Sequence, residues 1–101
     1  MRLFHLLLPA LWIVASTASA NAAPPRGAAS CSGCHPRTAS TGPVPSLNGQ
    51  PAGQIVSQMA AFRTGERRST VMARIAKGFT DEETRALADY FAAGGNAPAQ
   101  P

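Results

Sequence analysis

Cys31-Ser32-Gly33-Cys34-His35 is the stretch on which the reading of this chain turns. It places two thiols three positions apart and an imidazole directly after the second. Its meaning depends on what surrounds it. The chain has 101 residues, 45% of them hydrophobic and 14% charged, with a net charge of +4. Those averages cover two unlike segments. Residues 1–22 hold 15 of the 45 apolar residues, including Trp12; the other 79 residues hold 30, and 15 of these are alanine. Apart from Cys31 and Cys34, only 13 large apolar side chains are left beyond residue 22. Leu, Ile, Val and Phe make up 10 of those 79 residues, below the roughly 20% at which composition alone points to disorder. A domain under ~80 residues rarely stabilises itself by its core without a staple. Several domains are excluded, and so is a self-sufficient enzyme core.

Met1-Arg2 is a short positive start, and Leu3 to Ala15 is an apolar run broken only by His5 and Pro9. Ala18-Ser19-Ala20 and Ala20-Asn21-Ala22 each provide the small-x-small pattern of a cleavage site. Residues 1–22 therefore read as a secretory signal peptide, cut after Ala20 or Ala22. A membrane anchor needs ~20 predominantly apolar residues, and Ser16, Thr17, Ser19 and Asn21 end the run too early. Cleavage leaves a domain of charge +3 with one histidine, His35, and an expected periplasmic location.

Outward from the cysteines, residues 23–29 read as a flexible lead-in. Pro36 to Pro51 holds four prolines and two glycines in sixteen residues, the composition of a turn-rich loop. Ile55, Met59 and Phe62 then recur at helical spacing, and Thr64-Gly65 supplies a stop. Met72, Ile75, Ala76 and Phe79 repeat the pattern over a short helix that Gly78 breaks. Thr80-Asp81-Glu82-Glu83 is a capping box, opening a helix with Leu87, Tyr90 and Phe91 on one face and Gly94-Gly95 at its end. Residues 96–101 read as a frayed, disordered tail. No useful length shows a strand's alternation. The expected class is all-α, about three helices with long loops, in a domain over residues 30–95. Pro36 disfavours helical geometry at the residue before it, so a helix through the cysteines should end at His35.

Four chemistries compete for the cysteine pair. A disulfide over two intervening residues restricts little chain entropy. A dithiol redox pair belongs beside a βαβ pattern, which is missing. A zinc site needs four ligands, and two cysteines and one histidine remain. The fourth is Cys-x-x-Cys-His as the attachment motif of haem c, with thioethers at Cys31 and Cys34 and His35 directed to the iron. Only haem supplies the missing apolar volume, so one covalent haem is the expected cofactor. With no second histidine, a sixth ligand falls to Met59 or Met72. Met59 lies on an apolar helical face and suits a packing role; Met72 follows the polar stretch Glu66–Thr70 at the start of a helix, where a loop can turn a thioether inward. An open sixth position, as in a haem sensor or enzyme, is the alternative.

The run Met72-Ala-Arg-Ile-Ala-Lys-Gly-Phe-Thr-Asp-Glu-Glu83, with Leu87-Ala-Asp-Tyr-Phe91, resembles the C-terminal part of small class I c-type cytochromes. Pro45-Ser-Leu-Asn-Gly-Gln-Pro51 and Met59-Ala-Ala-Phe-Arg-Thr-Gly65 resemble the same group. The nearest likeness is to the monohaem cytochrome subunit of flavocytochrome c sulfide dehydrogenases, then to cytochrome c4/c553-like domains, over roughly residues 30–93. The resemblance implies a small class I fold wrapped around the haem and Met72 as distal iron ligand. It also implies a proline carbonyl that orients His35; Pro45 matches that place best, Pro43 next. Pro36 departs from a family that often has glycine after the histidine. The function so implied is single-electron transfer without catalysis by this chain, with a flavoprotein that oxidises sulfide as donor. A free soluble carrier serving several oxidoreductases is the rival. Arg63, Arg67, Arg68, Arg74 and Lys77, opposed by Glu66, read first as a solvated face. They also suit haem propionates or an acidic partner; nucleic acid is not an expected partner, and no membrane span is expected after cleavage.

Overall fold

The computed structural model describes residues 23–96. Four α-helices and no strand occur among them: α1 (Ala28–Cys34), α2 (Ala52–Thr64), α3 (Met72–Ala76) and α4 (Asp81–Ala92). The all-α class expected from the periodicity is the class observed, with four helices in place of about three. The first, α1, is only seven residues long and ends before His35, as expected of the helix through the cysteines. It takes in Ala28 and Ala29, which the sequence places in the lead-in. The signal peptide at 1–22 and residues 97–101 of the tail lie outside the described residues.

α1 begins and ends for backbone reasons, with no side-chain cap. Gly27 opens it at φ 90°, a conformation that favours glycine. A Cβ there would also sit 2.5 Å from Cε1 of Phe79, so the start of α1 is pressed directly on the α3–α4 junction. At the other end His35 is extended, at φ −86° and ψ 117°, as the following Pro36 requires. Its N–H still closes the last turn on the Cys31 carbonyl at 2.8 Å. The helix therefore stops where the proline predicts, and the histidine leaves its axis.

α2 starts at Pro51, whose carbonyl accepts from Gln54 and Ile55, and stops at Gly65 with φ 79°. It packs against both α3 and α4. In α4 the capping box is complete: Thr80 Oγ1 accepts from the Glu83 N–H at 3.1 Å, and Glu83 Oε2 accepts from the Thr80 N–H at 3.0 Å. Asp81, Glu82 and Glu83 place negative charge at the helix N-terminus, where the backbone dipole favours it. Gly94 and Gly95 turn the chain at the far end, their N–H groups bonding the Phe91 and Tyr90 carbonyls. The Gly49 N–H also reaches the Phe91 carbonyl, at 2.9 Å, which anchors the proline-rich loop to the end of α4.

The core is thin. Its buried apolar members among the described residues are Ala28, Ile55, Met59, Ala76, Leu87, Ala88, Tyr90 and Phe91, and no large side chain is fully buried. Three of the eight are alanines, and two of these, Ala76 and Ala88, have no exposed surface at all. Small residues bring the helices close, while the larger ones surround a cavity instead of filling a centre. No helix among the described residues is long and apolar enough to cross a membrane.

Candidate cofactor site

The cavity has a volume of about 650 Å³, within the ~300–1,000 Å³ usual for small-molecule and cofactor sites. All four helices and the proline-rich loop contribute to it. Cys31, Cys34 and His35 line it from α1 and the residue after; Met72 and Ile75 from α3; Ile55, Met59 and Phe62 from α2; Leu87 and Phe91 from α4. The residues singled out in the sequence, spread over more than forty positions, are thus gathered on one cavity.

His35 is held by the loop. Its Nδ1 lies 2.6 Å from the Pro45 carbonyl oxygen. A carbonyl can only accept, so Nδ1 carries a proton and Nε2 is the ring nitrogen left to face a metal. A backbone acceptor on one ring nitrogen is the usual way to fix the tautomer and orientation of a metal-binding histidine. Between the two prolines considered, the hydrogen bond goes to Pro45; Pro43 lines the cavity without one to His35. The loop is braced locally, since Asn48 Nδ2 donates to the Arg37 carbonyl at 3.0 Å and Gln50 Nε2 to the Ser46 carbonyl at 2.6 Å.

The thiols are both free, Cys34 exposed and Cys31 half-buried. Burial pushes the Cys31 thiol above its ordinary value; a backbone hydrogen bond works against this, and Cys34 adds to it. A nucleophilic redox cysteine has the opposite shift. Among the described residues no three His, Cys, Asp or Glu side chains converge to hold a metal ion. The donor set fits haem: two thiols and an imidazole on a largely apolar cavity with arginines at its wall, and two thioethers, Met59 and Met72, on the same walls.

The two methionines differ in setting. Met59 is buried in the middle of α2 beside Ile55, whereas Met72 is half-buried and is the first residue of α3. The segment before Met72 has contacts that residue spacing did not reveal. Arg67 folds back on α2: its Nη1 donates to Gln58 Oε1 at 2.6 Å, and its guanidinium lies 4.8 Å from the centroid of the Phe62 ring. Ser69 Oγ accepts from the Ala73 N–H at 2.8 Å and so caps the first turn of α3. The basic run is therefore not one solvated face. Arg63 spans from α2 to Asp81 and the Phe79 carbonyl, and Arg67 is used internally. Arg68 and Arg74 line the cavity and form no ion pair among the described residues.

No protein-family model matches the chain. It is similar to the cytochrome subunit of sulfide dehydrogenase from Chlorobaculum tepidum, at 43% identity over 63 residues, which is 61% of this chain and 57% of that protein. The chain thus spans little more than half the length of this relative. A cytochrome is among its relatives, and the likeness agrees with the helical fold.

Proposed function

We propose that this chain is an exported monohaem cytochrome c that carries single electrons as the electron-accepting cytochrome subunit of a flavoprotein sulfide dehydrogenase. One observation carries the reading: a single apolar cavity gathers Cys31, Cys34, a His35 oriented by Pro45, and Met72. The similarity to a sulfide dehydrogenase cytochrome subunit supports the partner class.

Cys31 and Cys34 would hold the group covalently, and His35 Nε2 and the Met72 thioether would hold its iron. Haem so ligated supplies a one-electron iron couple whose potential is raised by methionine–histidine ligation. The protein's own contribution is positional. Pro45 keeps His35 in one tautomer; Ile55, Met59, Leu87 and Phe91 keep water from the cavity wall. With His35 and Met72 both given to the iron, the chain would offer no place for substrate, and sulfide specificity would belong to the partner. Export would place it in the periplasm, with the leader cut after Ala20 or Ala22.

Purification of the tagged chain from its native host tests the partner. Co-elution with a flavin-containing subunit is expected. Elution alone, with electrons accepted equally from unrelated donors, would replace the subunit by a free carrier.

A further inference from the structure

We infer that Arg67 is a positioning residue for the distal ligand, clamping the Met72-bearing segment onto α2; this rests on the reading of Met72 given above. Residues 65–71 leave α2 at Gly65, in the left-handed region, and run exposed to the first residue of α3. An exposed connection of this kind holds its end in place only through its few contacts. Arg67 makes three that reach back to α2. Its N–H bonds the Ala61 carbonyl at 3.0 Å, its Nη1 donates to Gln58 Oε1, and its guanidinium covers the Phe62 ring. Ser69 Oγ, accepting from the Ala73 N–H, and the Val71 carbonyl, accepting from the Arg74 and Ile75 N–H groups, fix the start of α3 itself.

The chemistry requires arginine. A planar guanidinium stacks on an aromatic face while its fork donates in the same plane, and a lysine ammonium does neither equally well. The neighbours make the contrast. Arg68 and Arg74 carry the same charge and make no side-chain hydrogen bond or ring contact among the described residues. Charge alone therefore does not account for what position 67 does. Releasing the side chain frees residues 65–71, and the Met72 thioether then competes less well with an external ligand.

The test uses the haem-loaded chain, with imidazole as the competing ligand and the far-red charge-transfer band of the ferric iron–methionine bond as the readout. Arg67→Ala is expected to weaken the band and tighten apparent imidazole binding about tenfold, the scale of one charged hydrogen bond plus an exposed cation–ring contact. Haem content and helical circular dichroism stay at wild-type levels. Arg67→Lys behaves like Arg67→Ala. Gln58→Ala gives a smaller shift and adds nothing to Arg67→Ala, because the two act through one contact. Wild-type imidazole affinity in Arg67→Ala overturns the inference, as does an Arg67→Lys chain indistinguishable from wild type, which would make position 67 a charge site. If the wild-type chain lacks the band and Met72→Ala leaves imidazole binding unchanged, it is the assignment of Met72 that fails.

Discussion

Gly27→Ala strikes the join on which the placement of the cysteines and His35 depends. Two independent costs are visible at this position. The backbone sits at φ 90°, where a residue with a Cβ loses roughly 1–2 kcal/mol relative to glycine. The new methyl would also lie 2.5 and 2.6 Å from Cε1 and Cζ of Phe79, and forcing such an overlap in a packed site costs about 1–3 kcal/mol. Phe79 does not swing away freely, because Arg26 covers its ring at 5.2 Å and Arg26 is itself paired with Glu83 at 3.1 Å. The expected loss is about 3 kcal/mol, which lowers the midpoint of a domain this small by roughly 12–24 °C. Thermal unfolding of the haem-loaded protein measures it. Replacing Phe79 by alanine in the same chain removes the overlap and leaves the backbone cost, so the double variant should be at least ~1 kcal/mol better than the sum of the singles. A loss below ~1 kcal/mol for Gly27→Ala, or strict additivity, would refute the proposed seating of α1 against Phe79.

The two methionines should separate cleanly. Met59→Ala removes a buried side chain and is expected to cost about 2–5 kcal/mol in denaturant while keeping the far-red band; Met72→Ala should abolish the band and permit carbon monoxide to bind the reduced protein. Thr80→Ala removes the acceptor for the Glu83 N–H and should lower stability by about 1 kcal/mol with the visible spectrum unchanged. Asp81→Asn should change stability by less than ~1 kcal/mol, because this partner of Arg63 is 87% exposed. The chain carrying Cys31→Ala and Cys34→Ala, produced without haem, should lack a cooperative thermal transition, since no large side chain of the described core is fully buried; a sharp transition would show a core sufficient by itself.

What was legible in the residues was what is decided locally. The Thr80–Glu83 capping box and the stops at Gly65 and Gly94-Gly95 depend on atoms within a turn of one another, and each is found where spacing predicts it. Pro36 likewise dictates the extended geometry of His35 through its immediate neighbour. The end of α1 at His35 is set in this way, but its start is not: Ala28–Cys34 has no side-chain cap and no apolar period, so nothing local marks where the helix begins. It is held from outside, by Phe79 and Leu87 against Gly27. Arg67 escaped for a related reason. Its partners lie five and nine positions back, across the end of α2, and neither offset belongs to a helical face. In the sequence it counts as one more positive charge; only the fold distinguishes it from Arg68. The choice between Pro45 and Pro43 also needed three dimensions, since either carbonyl is close enough along the chain.

Intact-mass measurement of the chain, recovered from the periplasm of a host that attaches haem, tests the central claim most directly. The expected product is a chain shortened at Ala20 or Ala22 that carries the mass of one haem on the peptide containing Cys31 to His35, with no free thiol. A bare chain with two alkylatable cysteines, or one joined by a Cys31–Cys34 disulfide, would contradict it.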